Sequence, residues 1–259
     1  MNIVVFVKQT FDTEERIVLA GNGVSEEGVK FVVNPYDEYA IEQGIRLRDE
    51  AGGGKVTVVS VGPARAAEAL RTALAMGADE AALVDDARIP ADEYAVSIAL
   101  AAAARHVAGG TPDVVLGGNF SVDNGAGQVA IRVAELLGMP HVAAVTALTI
   151  SGGVASAERD AEGDAELVEV PLPALFTAQQ GLNEPRYPSL PGIMKAKKKP
   201  LATLALDDLG LTPEDVAAKT VRVGLDLPPP RAAGRLIAGD PAAQAAELAR
   251  LLREEAKVL

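Results

Sequence analysis

The chain holds 259 residues, 49% of them hydrophobic and 23% charged, with 24 Lys+Arg against 36 Asp+Glu for a formal net charge of -12. That acidic excess argues against nucleic acid and anionic membranes as general partners, since both would repel it. The lack of cysteine excludes disulfides, thiolate nucleophiles and Cys-ligated metal or iron–sulfur centres, and having only His106 and His141 nearly excludes zinc sites and histidine-based triads.

Apolar runs of strand length alternate with helical patterns along the first half. Asn2–Val7 (NIVVFV) reads as a buried strand. In NPYDEYAIEQGIRLRDEAGGG, Asn34 is placed as N-cap, Pro35 suits the first helical position, and Asp37 and Glu38 suit the positive end of the helix dipole. Ile41 and Ile45 give i, i+4 spacing, and Gly52–Gly54 stops the helix. Lys55–Gly62 is the next strand, followed by a helix with Ala66, Leu70 and Leu74 on one face and Gly77 as its cap. EAALVDD reads as a strand, Ala91–Ala108 as an alanine-rich helix, Asp113–Asn119 as a strand and Gly127–Leu137 as a helix.

HVAAVTALTI, VASAERDA and AELVEVPLPALFTA then read as consecutive strands joined by short Gly-bearing turns, which favour hairpins. The expected fold is α/β: a Rossmann-like, doubly wound, mostly parallel sheet with an antiparallel extension and a C-terminal helical arm. The nucleotide-binding domain is expected to span residues 1–227. Pro228–Pro230 then opens a stiff linker and arm over 228–259, ending in an amphipathic helix across Asp240–Leu259 with Leu248, Leu251 and Leu252 on one side. That apolar face needs cover, from its own domain or from a partner subunit. No apolar run reaches the roughly 18 residues of a membrane span. The N-terminus opens directly into a strand, with no basic region and cleavage site ahead of it. A soluble, cytoplasmic protein is expected, with no catalytic side chains or metal of its own and with any difficult chemistry carried by a cofactor.

The unit Val114–Gly138 (VVLGGNFSVDNGAGQVAIRVAELLG) is strand, glycine-rich loop and helix. Free N–H groups and the dipole at a helix N-terminus attract phosphate, and Gly117, Gly118, Gly125 and Gly127 permit close backbone approach. Asp123 and Asn124 would cap the helix or hold a ribose hydroxyl. No Lys-Ser/Thr follows the glycines and no G-x-G-x-x-G occurs, so the loop is suited to binding a phosphate without machinery for transferring it. A plain glycine-rich turn is the alternative. Strand-end loops at Phe6–Thr10 and Ser60–Pro63, with the helix start at Asn34–Asp37, would share one rim with it, where parallel sheets bind ligands. Backbone groups of VKQ and SVG would suit an adenine edge. Phe11 and Tyr36 are either core or a cover for a flat ring. His106 and His141 read as structural.

Asn183–Pro200 (NEPRYPSLPGIMKAKKKP) stands out in an acidic chain. Pro185, Pro188 and Pro191 argue against a regular helix and for a rigid, extended excursion. Leu190 is an isolated apolar knob, and Lys195, Lys197, Lys198 and Lys199 follow it. A knob beside a positive patch suits protein recognition, the charges steering and the knob anchoring; a solvated lysine run is the bland reading.

This stretch closely resembles the recognition loop of the electron transfer flavoprotein β-subunit family. Glu158–Ala178 resembles that family's signature segment, and VVFVKQ, VNPYDEYAIE and TALAMGAD (Thr72–Asp79) are similar in order along nearly the whole chain. The resemblance implies a heterodimer with an electron transfer flavoprotein α subunit. Its FAD would be held mainly by α and partly covered by β, with AMP bound to β. It further implies acyl-CoA dehydrogenases as donors and a membrane quinone oxidoreductase as acceptor. Carried onto this sequence, the AMP site comprises Phe6, Val7, Lys8, Asn34, Pro35, Tyr36, Asp37 and Val61. It continues through Gly118, Asn119, Phe120, Ser121, Val122, Asp123, Asn124, Gly125, Ala126, Gly127 and Gln128. Tyr36, Asp12, Thr13 and Asp160 fall in the flavin's vicinity, Asp160 standing where familiar members have Glu. Leu190 is the dehydrogenase anchor, flanked by Lys195, Lys197 and Lys198. Three alternatives stand beside AMP-bearing electron transfer: a bifurcating form with a second FAD in place of AMP, a stand-alone adenine-nucleotide-binding regulatory module, and a nucleotide-hydrolysing enzyme.

Overall fold

The computed structural model describes residues 1–231 and 233–259. The apolar run at the N-terminus forms β1 (Asn2–Phe6), buried from Ile3 onward. The chain then makes an excursion to which no element was assigned from the sequence. It contains β2 (Gln9–Phe11), β3 (Leu19–Ala20), β4 (Gly23–Val24) and β5 (Phe31–Val33), paired as β2–β5 and β3–β4.

α1 (Pro35–Glu50) starts at Pro35 as expected, but Asn34 does not cap it with its side chain. The helix packs very close to the sheet: a Cβ on Gly44 would lie 3.0 Å from Val5 Cγ2. β6 (Lys55–Val61) follows, then α2 (Ala67–Met76), closed by Gly77 at φ 139. Then come β7 (Glu80–Val84) and α3 (Glu93–Ala108), N-capped by Asp92. β8 (Val114–Gly118) and α4 (Val129–Leu137) complete the alternation.

β9 (His141–Ser151), β10 (Val154–Ala161) and β11 (Asp164–Pro171) form the antiparallel extension, turning at Gly152–Gly153 and Gly163. The stretch Ala165–Ala178, expected as one strand, divides in two. Pro171 and Pro173 lack the N–H a ladder requires, so the chain leaves the sheet edge there. It re-enters as β12 (Ala174–Ala178), parallel to both β8 and β9. Beyond it lie α5 (Leu190–Ala196), β13 (Leu201–Leu204) and α6 (Pro241–Glu254).

The sheet has nine strands in the order β11-β10-β9-β12-β8-β1-β6-β7-β13, parallel from β9 through β13. β13 was not foreseen; it adds a parallel edge beside β7. Ile41, Ile45, Leu70 and Leu74 of α1 and α2 pack on one face, while Leu100 of α3 and Val133 of α4 pack on the other. The doubly wound expectation therefore holds. After β1 the chain builds toward β6 and β7, then returns to place β8 on β1's other side, so the topological switch point lies between β1 and β8.

Candidate functional site

The carboxyl ends of β1 and β8 meet at this switch point, the place where parallel α/β sheets form a ligand crevice, and Asn34 and Asp37 sit beside it at the start of α1. Asp37 is buried, and both its oxygens are filled. Oδ2 accepts from the Lys8 backbone N–H at 2.6 Å, while Oδ1 accepts from the Gly118 N–H and the Asn34 side-chain amide, each at 3.0 Å. Burial pushes the Asp37 carboxyl up to about 7, against the opposing pull of these donors. The carboxylate expected to decorate a helix dipole instead ties two strand ends together.

Asn34 holds the glycine loop. Its amide donates to Phe120 O at 3.0 Å, and its Oδ1 accepts from the Val122 N–H at 3.2 Å. The expected side-chain cap on α1 is absent because both ends of this amide are committed to Asp37 and the loop. Gly118 is required at its position, since a Cβ there would overlap Asp37 Oδ1 and come within 2.8 Å of Tyr36 Cβ. Tyr36 packs on Phe120 with ring centroids 4.2 Å apart, so the ring suspected of covering a cofactor also supports the loop.

Lys8 reaches across the mouth. Its Nζ donates to Asp123 Oδ1 at 2.7 Å and to Ser121 Oγ at 3.1 Å. Burial opposes ionisation of Asp123, but the Lys8 hydrogen bond and charge overcome it and hold its carboxyl below the usual value. Asp123 is thus a lysine partner and not a helix cap. Asn124 accepts from Ser121 Oγ at 2.8 Å and also leaves α4 uncapped. Gln128 makes no side-chain cap either, so among the described residues no side chain accepts from the first-turn N–H groups of α4. The Lys8 backbone is engaged here: its N–H goes to Asp37, and its carbonyl accepts from the Asn34 N–H at 2.9 Å. Phe6 and Val7 are buried beneath the crevice, and Val61 ends β6 on the same rim. Gly125 and Gly127 take positive φ of 64° and 62°.

Of the residues expected near a flavin, Tyr36 belongs to this crevice, whereas Asp12, Thr13 and Asp160 are not among its hydrogen-bonded residues. Asp12 pairs with Lys30 at 2.6 Å, and Thr13 is exposed beside it. Asp160 is exposed on β10, three strands from β8 in sheet order and roughly 14 Å away at about 4.8 Å per strand. Arg159 opposite Val145, and Ala178 opposite both Val145 and Gly118, put Asp160 near the crevice's level on the sheet. His106 and His141 are exposed, His106 in the last turn of α3, where a cation suits the dipole.

The proline-rich stretch does contain a helix, contrary to expectation. α5 begins at Leu190 with Ser189 Oγ accepting from the Gly192 N–H at 3.1 Å, and Pro191 falls in the first turn, where no intrahelical N–H is needed. Both flanks of α5 are pinned. Buried Glu42 of α1 accepts from Arg186 Nε at 2.7 Å and Nη2 at 3.0 Å, and from Arg46 Nε at 2.7 Å. Burial pushes the Glu42 carboxyl up, but the arginines prevail and hold it below its usual value. Asn183 donates to Tyr39 O at 3.0 Å. On the other flank, Arg71 donates to Ala196 O and Lys199 O at 2.7 and 2.8 Å, and Lys199 Nζ reaches Leu74 O and Ala78 O. Gly192 lies against α2, where a Cβ would come within 2.6 Å of Ala75 O.

Lys199 is therefore structural, while Lys195, Lys197 and Lys198 are exposed. Leu190 projects at 80% exposure, with Tyr187, Ile193 and Met194 also outward. Glu42 as the mount of this loop was not found by sequence reasoning, because its partner lies 144 residues away. Past β13, Lys219 and Thr220 hang on Asp92, whose carboxyl the Thr220 hydroxyl helps hold down to about 2. Beyond that point Val221, Val223 and Leu236 are exposed, and no residue of α6 is buried. Among the described residues, no helix is long and apolar enough to cross a membrane.

Comparison with known proteins gives a consistent picture. Residues 22–209 match the electron transfer flavoprotein domain model. The chain is 52% identical over 262 aligned positions to the electron transfer flavoprotein subunit beta of Bacillus subtilis, covering 100% of both chains. It is 42% identical to the subunit of the same name from Syntrophomonas wolfei, covering 100% of this chain and 98% of that one. It is 38% identical to the caffeyl-CoA reductase-Etf complex subunit CarD of Acetobacterium woodii, over 92% of each.

Proposed function

We propose, from the premise that this chain belongs to the electron transfer flavoprotein family, that it is the β subunit of a heterodimer in which it binds AMP, covers part of an FAD held by the α subunit, and docks donor dehydrogenases of the acyl-CoA class. Electrons then pass to a membrane quinone oxidoreductase. The observation that carries this reading is the α5 knob: an exposed leucine on a seven-residue helix pinned at both flanks, beside three free lysines. The name of the Acetobacterium woodii relative joins an Etf subunit to a caffeyl-CoA reductase, which supports a CoA-thioester redox enzyme as the kind of partner the knob meets.

The crevice residues fit an adenine nucleotide. The uncapped α4 N-terminus offers N–H donors suited to a phosphate, Lys8 stands ready to exchange Asp123 for it, and Asn34 and Asp37 hold the loop that would wrap it. In this role the residues bind and orient; none is asked to move a phosphoryl group. FAD, when bound with the α subunit, supplies the redox chemistry. For this chain the tasks are to cover it, with Asp12, Thr13, Tyr36 and Asp160 as candidate neighbours, and to bring the donor close. The exposed apolar residues of the arm and α6 favour a partner subunit as their cover over a stand-alone regulatory module.

Purifying the chain with its α subunit and identifying the nucleotides released on denaturation tests this. One FAD and one AMP per heterodimer is the expected result. Two FAD and no AMP would assign the bifurcating form, and a complex lacking flavin would refute the proposal.

A further inference from the structure

We infer that Met194 is an oxidation site through which hydrogen peroxide weakens docking of the donor. This rests on the proposed role of α5 as the docking element. The chain has no cysteine and four methionines, so its sulfur redox chemistry is confined to thioethers. Access separates the four. Met76 is 5% exposed and Met139 6%, both in the core, and Met1 packs against the core, whereas Met194 is 62% exposed. Among the methionines, the one open to solvent is thus the one on the recognition helix.

Its position on that helix matters as much as its exposure. Leu190, Ile193 and Met194 stand at i, i+3 and i+4 of α5, so they share one face. All three are exposed, at 80%, 43% and 62%, and the mounting of α5 on α2 leaves that face outward. A thioether suits an adaptable apolar contact. In the oxidation, a sulfur lone pair attacks one peroxide oxygen and the O–O bond breaks. An S–O bond forms, and the second oxygen leaves as water once the protons are transferred. Sulfur loses two electrons and peroxide gains them, with no other co-reactant. The product places a strongly polar oxygen four residues from the anchoring leucine, on the surface that must be desolvated for docking.

The test uses the complete heterodimer, treated with graded hydrogen peroxide, mapped by peptide mass and assayed for electron transfer as a function of donor concentration. Met194 is expected to gain one oxygen before Met76 or Met139. The donor concentration for half-saturation should rise about tenfold in step with that gain. Treatment with methionine sulfoxide reductases should reverse it, and Met194→Leu, compared with its own untreated rate, should not respond to peroxide. Full Met194 sulfoxide with unchanged donor dependence would overturn the inference, as would an equal peroxide effect in Met194→Leu. Leu190→Ala separates the two layers: unaltered donor dependence in that variant would overturn the docking role of α5 and this inference with it. Impaired docking by Leu190→Ala beside a silent Met194 sulfoxide would overturn the inference alone.

Discussion

Replacing Glu42 by Gln tests whether α5 is mounted or merely adjacent. Glu42 is 2% exposed and accepts four hydrogen bonds: from Arg186 Nε (2.7 Å), Nη2 (3.0 Å) and backbone N–H (3.3 Å), and from Arg46 Nε (2.7 Å). Breaking a fully buried ion pair costs about 3–5 kcal/mol. Here both arginine side chains are about two-fifths exposed, and water screens their charge. The expected loss is therefore about 2 kcal/mol, which lowers the unfolding midpoint by roughly 4–8 °C in a chain of this size. The pH dependence has a definite sign. The folded carboxyl lies below its ordinary value, so the unfolded chain binds the proton more readily. The difference between parent and Glu42→Gln should be full above about pH 5 and shrink as pH falls through the folded pKa. In donor titrations of the heterodimer the half-saturating concentration should rise severalfold, with the limiting rate nearly kept, because the knob survives but its presentation loosens. A stability difference unchanged down to pH 3 would refute the electrostatic account. A thermal shift with unaltered donor dependence would refute the mounting role.

Gly118→Ala drives a Cβ into Asp37 and Tyr36 and should weaken AMP binding about tenfold by calorimetry on the nucleotide-stripped complex; affinity equal to the parent would show that the crevice tolerates the shift. Asp37 carries the opposite pH signature from Glu42, since burial raises its folded pKa to about 7. The stability it contributes is fully present below about pH 4 and lost as pH rises through 7. Asp37→Asn should flatten that slope in denaturant titrations at pH 4.5, 6 and 7.5, and a slope equal to the parent's would count against this. Lys199→Met should cost about 1–2 kcal/mol by stranding Leu74 O and Ala78 O. Lys198→Met should leave stability within about 0.5 kcal/mol while reducing the salt dependence of donor docking; the reverse pattern would mean the two lysines had been misassigned.

The parallel core was legible because its strands are buried on both faces and so read as unbroken apolar runs, as at Asn2–Phe6 and Val114–Gly118. The glycine loop was legible for a related reason: Gly125 and Gly127 mark positive φ that few other residues adopt. What stayed hidden lacked periodicity. β13 is four residues after a proline, and β2 to β5 are two or three residues each. α5 was hidden by its own prolines, since Pro191 forbids a helix interior but suits a helix start. The capping readings of Asn34 and Asp123, drawn from local rules, do not hold. Each has a capping residue's chemistry, yet a tertiary partner outcompeted the cap: the loop at Phe120 and Val122 for Asn34, and Lys8 for Asp123. The residues alone suggested a recognition knob at Leu190; the resemblance supplied what they did not, a dehydrogenase as its expected partner.

α1 links the two tasks proposed for this subunit. Asn34 and Asp37 at its start hold the crevice, and Tyr39, Glu42 and Arg46 further along hold the recognition loop. Asp37 and Glu42 are separated by about 7.5 Å of helical rise at 1.5 Å per residue. Between and beyond them, Ile41, Gly44 and Ile45 lock the helix to the sheet at a spacing that leaves no room for a Cβ on Gly44 without displacing Val5. The proposed nucleotide rim and the proposed donor-docking knob are therefore both mounted on one closely packed helix. On the proposed function, the nucleotide then belongs to the β1–β8 end of the fold, while the choice of donor rests with α5 and the residues that mount it.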